Sequence, residues 1–127
     1  MTENEIAAKV IEACFRVHRG TGPGLLESAY RVLVAHLLEK EGLKVLVEEE
    51  VPIVWEGVRL ETGFRADLIV EGKVIVELKS VAKLAPVHSK QLLTYLRLTG
   101  MRLGLLINLG EVYLKDGIHR IANGTEE

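Results

Sequence analysis

The amino-acid sequence predicts an α/β or α+β domain built on one mixed sheet flanked by helices. Three observations predict it. Two stretches of helical periodicity come first, short β-branched runs punctuated by glycine follow, and a third helical stretch then leads into a wholly apolar strand. The chain has 127 residues, 48% of them hydrophobic and 27% charged, so one domain spanning 1–127 with a core of its own is expected.

The elements follow in order. Thr2 and Glu5 have the spacing of a capping box, and Ile6, Val10, Ala13, Cys14 and Val17 recur every three or four residues. A first helix over about 3–19 results. Gly20, Gly22, Pro23 and Gly24 break it, after which Leu26, Tyr30, Leu33, Val34, Leu37 and Leu38 mark a second helix ending at Gly42. From Leu43 to Lys79 the pattern is an antiparallel meander with turns at Glu56-Gly57 and Glu71-Gly72. Pro86 opens a third helix over about Val87 to Thr99, and Gly100 stops it. Arg102 to Asn108 is a buried strand, a last small hairpin turns at Asp116-Gly117, and 123–127 is a frayed tail. The expected order is ααββββαββ.

Several function classes drop out early. No apolar run approaches the roughly 18 residues needed to span a bilayer, so no membrane partner is expected. Cys14 is the only cysteine and the N-terminus lacks a basic segment ahead of an apolar run, which points to a cytoplasmic protein. By the same reasoning the sequon at Asn123 is a chance match. His18, His36, His88 and His119 lack zinc-ligand spacing, and Cys14 on an apolar helix face reads as a buried hydrophobe. Gly20, Gly22 and Gly24 lie between two helices, so they form a turn and not a phosphate loop. Trp55 reads as core or interface packing.

The net charge of -2 hides a gradient. Between Glu39 and Glu61 seven acids face three bases, a local balance of -4, whereas Leu78 to Gly110 holds Lys79, Lys83, Lys90, Arg97 and Arg102 with no acid. The second stretch offers a face to a polyanion, although a solvated helix and strand would look the same. Six aromatics are too few for a base-stacking platform.

The chemistry concentrates in the segment Ala66 to Lys79. Asp67 is followed after nine residues by Glu77-Leu78-Lys79, in a strand whose Val74, Ile75 and Val76 read as buried on both faces. Strand alternation points Glu77 and Lys79 to one side. Charges there are costly unless they serve each other or a ligand. Two carboxylates on neighbouring strands repel, and a hard divalent cation between them relieves that; a structural ion pair is the plainer alternative. A shared site also fixes the turn. A two-residue Glu71-Gly72 loop would set Asp67 opposite Val76 and turn Asp67 and Glu77 to opposite sides, so an odd loop is required, of which Val70-Glu71-Gly72 is one. Glu27, in the first turn of the second helix, reads either as part of this site or as an acid complementing the helix dipole. His88, Gln91 and Tyr95 form one stripe on the third helix, bordering its apolar face.

With these residues the sequence resembles a known family. Gly24-Leu25-Leu26-Glu27-Ser28-Ala29-Tyr30 is similar to the signature of the GxxExxY proteins, a group of the PD-(D/E)XK nuclease superfamily. Asp67 with Glu77-Leu78-Lys79 resembles the superfamily's metal-binding core, and Gln91 with Tyr95 resembles the QxxxY motif of its exonuclease-like branch. The likeness runs from about Ile6 to Leu109, with Ala66 standing where the motif has proline. The resemblance implies a restriction-endonuclease-like core in which Glu27, Asp67, Glu77 and the Leu78 carbonyl hold Mg²⁺ or Mn²⁺. It further implies that Lys79 orients or deprotonates a water and that Gln91 and Tyr95 hold a phosphate or a water. Lys83, His88, Lys90 and Arg97 are the expected nucleic-acid contacts.

The function these readings favour is metal-dependent binding and hydrolysis of DNA by a homodimer, since a chain this short needs two copies to embrace a duplex. The alternative is a non-catalytic module of the same fold that acts through nucleic acid or a protein partner. A doubly wound small-molecule domain is disfavoured because the predicted strands are mainly antiparallel.

Overall fold

A computed structural model describes residues 1–124. Helix α1, Glu3–Thr21, starts at the expected capping box: Thr2 Oγ1 accepts the Glu5 N–H at 3.2 Å, and Glu5 Oε1 accepts the Thr2 N–H at 2.8 Å. Helix α2 spans Glu27–Lys40. Strands β1, Val45–Trp55, and β2, Val58–Val70, are long, and β3 covers Val74–Lys79. Helix α3, Pro86–Thr99, carries the chain over to β4, Leu103–Asn108, and a 3₁₀ turn at Leu114–Gly117 precedes β5, Ile118–Ala122.

The sheet order is β1-β2-β3-β4-β5, antiparallel throughout except for the parallel β3–β4 pair that α3 joins. This is the mixed sheet of a restriction-endonuclease-like α+β fold. Helices α1 and α2 cover one face, packing Val10, Cys14, Val34 and Leu38 against Leu68, Val70, Val76 and Leu78. Helix α3 covers the other face with Leu92 and Leu96 against Ile69, Ile75 and Leu106. The close approach of α3 depends on Gly104, where a Cβ would come within 2.9 Å of the Leu92 side chain. Because both helical layers need an apolar sheet, every residue of β4 is buried. Among the described residues no helix is long and apolar enough to cross a membrane.

Four details differ from expectation. The segment before α3 holds three strands and not four, because β1 and β2 run through Pro52 as one hairpin whose register shifts between Val51 and Ile53. A proline has no N–H for the ladder, and the irregularity accommodates it without ending the strand. The hairpin turns at Glu56 and Gly57, both with positive φ, and its exposed tip carries Trp55, which therefore does not belong to the core. The last hairpin is formed by β4 and β5, with the 3₁₀ turn before β5 where a strand was expected. Asn123, expected in a frayed tail, is anchored: its Nδ2 donates to Met101 O at 3.0 Å and its N–H to Arg102 O at 2.9 Å. The rest of that tail from 125 onward lies outside the described residues.

The glycine-rich turn between α1 and α2 is held by Tyr30. Its buried hydroxyl donates to Gly22 O at 2.6 Å and accepts the Leu25 N–H at 3.1 Å. Ser80 Oγ donates to Leu25 O at 2.6 Å, which ties the same turn to the end of β3. Gly22 and Gly24, at φ 77° and 109°, supply backbone that a side chain would strain. Tyr30→Phe removes two hydrogen bonds and orphans the Leu25 N–H; urea titration should show a loss of about 1–3 kcal/mol. A loss below about 0.5 kcal/mol would mean that the hydroxyl does not hold the turn.

Candidate functional site

The β2–β3 turn spans Glu71, Gly72 and Lys73, with Glu71 and Gly72 left-handed at φ 56° and 66°. The odd loop required for a shared site is therefore present, placed one residue later than Val70-Glu71-Gly72. Its register, Val70↔Val74 and Leu68↔Val76, leads directly to Asp67 and Glu77. Regular pairing stops there. In place of the next rung, the Asp67 N–H donates to Glu77 Oε2 at 3.1 Å and the Leu78 N–H donates to Asp67 Oδ2 at 2.8 Å.

The break in pairing continues across the sheet. On β1, Val47 pairs with Leu68 and Glu49 with Ala66, but Glu48, which the register sets opposite Asp67, is unpaired and left-handed at φ 51°. Side-chain alternation reverses at this point. Leu68 and Val70 pack under α1 and α2, whereas Ala66 and Phe64, which alternation would put beside them, pack with Ile69 and Ile75 under α3. β1 reverses with its partner, since Val45 joins the first core and Val51 the second. Asp67 thus sits at a twist of the sheet where backbone donors are turned away from the ladder and toward side chains.

Asp67 Oδ1 is occupied by Arg31 of α2, whose Nη1 lies 3.0 Å away, and Nη2 of the same guanidinium lies 3.6 Å from Glu48 Oε2. The Arg31 and Asp67 side chains are only 15% and 17% exposed, so this is a half-buried pair with real electrostatic weight. Burial raises the Glu77 carboxyl to about 7, reinforced by the Asp67 charge and more weakly by Glu27, while the Asp67 N–H and Lys79 act in the opposite direction. Glu27 stands in the first turn of α2, near enough for its charge to be felt at Glu77, and it also complements the helix dipole. Among the described residues no carboxylate comes within ion-pair distance of Lys79.

On the α3 side Tyr95 lies parallel to Phe64, with ring centroids 3.8 Å apart. Its hydroxyl is shifted up by burial and by the Glu77 charge, which puts it on the carboxylates' side of the helix. Gln91 is exposed one turn earlier. His88 Nδ1 accepts the Ala85 N–H at 3.2 Å and so caps α3. The expected basic face is not assembled in one place. Lys83 stands in the loop after β3, but the 3.6-residue period puts exposed Lys90 and Arg97 about half a turn from Tyr95, and Arg102 lies at the opposite end of the sheet. Cys14 is buried, its thiol pushed up to about 12 by desolvation, as suits a core residue.

Two positions escaped the sequence reading. Arg31 follows Glu27 by four residues and so shares its helical stripe, which was the one available signal. Buried Asn108 supports the loop that follows Lys79: its Oδ1 accepts the Val81 and Gly110 N–H groups, and its Nδ2 donates to Val81 O at 2.9 Å. An open groove lined by Leu25, Glu27, Arg31 and Ser80 lies beside the pair. A separate cavity, lined by Thr2, Asn4, Arg102 and Arg120, holds none of the expected site residues.

The sequence model of the PD-(D/E)XK nuclease superfamily matches residues 4–121. The chain belongs to this superfamily. No curated protein and no solved structure matches it significantly. Nucleases of the superfamily generally use divalent metals, and the donors of this superfamily member fit such an ion in kind. Asp67 and Glu77 are hard oxygen ligands side by side, and Glu77 Oε1 takes no hydrogen bond from the described residues. They do not amount to a finished cage: among the described residues no three His, Cys, Asp or Glu side chains stand together closely enough to hold an ion.

Because the folded chain holds the Glu77 proton more tightly than the unfolded chain, the resulting stabilisation is complete below about pH 4.5 and lost as pH rises through about 7. In chelator, the stability of Glu77→Gln relative to the native chain should rise by about 3 kcal/mol between pH 4.5 and pH 8. A difference that stays constant over that range would show that Glu77 titrates like an exposed carboxylate.

Proposed function

We propose that this protein is a metal-dependent nuclease of the GxxExxY kind that binds DNA and hydrolyses its phosphodiester bonds. The observation that carries the reading is the Asp67–Glu77 pair, two half-buried carboxylates joined at the end of the β2–β3 ladder with Lys79 two residues along the same strand. Asp67, Glu77, the Leu78 carbonyl and Glu27 are the residues that would hold Mg²⁺ or Mn²⁺. Lys79 O accepts the Leu109 N–H on the β4 side, so strand alternation directs the Leu78 carbonyl toward Asp67. When bound, the ion would lower the pKa of water and neutralise charge on the phosphodiester.

The chain's own groups do the rest. Lys79, free of carboxylate partners among the described residues, orients the attacking water by hydrogen bonding or accepts its proton when neutral. Tyr95, steadied by its stack on Phe64, and Gln91 one turn earlier hold a phosphate oxygen or a water. Lys83 and the open side of the His88 ring would contact the DNA backbone beside the carboxylates, and Lys90 and Arg97, about half a turn from Tyr95, would meet it only away from them, none of which requires base readout. A cytoplasmic homodimer is the assembly this reading expects, and sedimentation at the mass of one chain in the presence of duplex would exclude it.

A second reading, a nuclease-fold module that binds nucleic acid or a protein without cutting, is favoured by one observation: Asp67 is already neutralised by Arg31. Incubation with supercoiled, linear, branched and single-stranded DNA separates the two. The nuclease reading expects cleavage with Mg²⁺ or Mn²⁺, none in chelator, and a loss of at least about a hundredfold in Glu77→Ala and Lys79→Ala. Binding without cleavage of any substrate would establish the module, and cleavage that persists in Glu77→Ala would refute this assignment of the site.

A further inference from the structure

We propose that Arg31 is an intramolecular counter-ion that competes with the divalent cation for Asp67, and that Glu48 is the seat to which it withdraws. The inference rests on the metal reading of the Asp67–Glu77 pair and adds a means by which uptake of the ion is controlled.

Asp67 has one oxygen that no backbone group holds. Oδ2 is committed to the Leu78 N–H, a backbone donor that cannot leave without disturbing β3. Oδ1 is the side facing Arg31, at 3.0 Å. A cation that reaches either oxygen of Asp67 comes within a few ångströms of the guanidinium, and two positive charges in a half-buried site repel strongly. Arg31 does not have to go far. Its other terminal nitrogen already lies 3.6 Å from Glu48, so a small rotation exchanges one carboxylate for the other.

Glu48 is an unusual place to keep an acid. It adopts φ 51°, a conformation that costs a side-chain-bearing residue, in the middle of a strand where extended backbone would have paired it with Asp67's own backbone. Its carboxylate instead stands between Arg31 and Arg65, the latter 3.9 Å away. A purely structural ion pair explains the Arg31–Asp67 contact but does not call for a second carboxylate within reach of the same guanidinium. Arg31 spanning two acids, with the tighter contact on the metal-ligand candidate and the looser one on the neighbour, is the arrangement that a displaceable counter-ion requires.

The test is calorimetric titration of Mn²⁺ into the full-length native protein, Arg31→Gln, Arg31→Lys, Glu48→Gln and the Arg31→Gln/Glu48→Gln double variant, with no DNA and no activity readout. Arg31→Gln should bind Mn²⁺ at least about tenfold more tightly, and Arg31→Lys, which keeps the charge but loses the two-pronged geometry, should fall between it and the native chain. Glu48→Gln should bind several-fold more weakly, because Arg31 loses its alternative partner, and that penalty should vanish in the double variant. Equal or weaker binding by Arg31→Gln, with the native chain binding normally, overturns the competition and leaves the metal site standing. A Glu48→Gln penalty of equal size in both backgrounds overturns the withdrawal seat. Absence of Mn²⁺ uptake by every variant overturns this inference together with the metal reading on which it rests. Should Arg31→Gln fail to fold, the Arg31→Lys comparison decides: affinity no greater than native counts against the proposal.

Discussion

Where the pairing of β2 and β3 ends, two carboxylates take over the hydrogen bonds that another rung of the sheet would have made. Asp67 accepts from Leu78 while Glu77 accepts from Asp67, so each acid is held by a backbone donor on the other's strand. Much of the site follows from this exchange. It brings the acids together at the edge of two apolar cores, and burial plus mutual repulsion then keep the Glu77 proton on to about pH 7. It also leaves Asp67 with a single outward oxygen, which Arg31 takes.

The surrounding fold serves to hold that edge in place. Tyr30 and Ser80 bind the glycine-rich turn to itself and to β3, which fixes the first turn of α2 and with it Glu27 and Arg31. From the opposite face, Asn108 secures the loop beyond Lys79, and Gly104 lets α3 settle closely enough for Tyr95 to reach the carboxylates' side. Arg31 spans Asp67 and Glu48, Arg65 approaches Glu48 from its other side, and the charge of Glu27 is felt at Glu77. Charged side chains at the end of the β2–β3 ladder away from its turn are a costly way to stabilise a sheet.

Much of this was legible in the sequence because it depends on local chemistry. The Thr2–Glu5 cap, the turn glycines and the proline at the head of α3 are short-range signals, and the helices fall within two residues of where these place them. Parity alone showed that Asp67 and Glu77 can share a site only across an odd loop. The hidden parts depend on distant partners. Arg31 looks like any solvent-facing base on an amphipathic helix, and only the tertiary fold brings it to an acid 36 positions away. The reversal of alternation at Glu48 and Asp67 is invisible to periodicity because both strands turn together. The run of bases from Lys79 to Arg102 looked continuous in the chain, yet a strand, a helix and a return strand distribute it over different sides of the molecule. The bulge that absorbs Pro52 in β1 has no residue signature of its own.

The proposed function requires a divalent cation to be drawn to Asp67 and Glu77. Anomalous diffraction from crystals soaked in Mn²⁺ tests this most directly. A peak within about 2–2.5 Å of oxygens from both carboxylates is the expected result. A soaked crystal whose manganese lies only at other acids, or nowhere, with both carboxylates accessible to solvent, would contradict it.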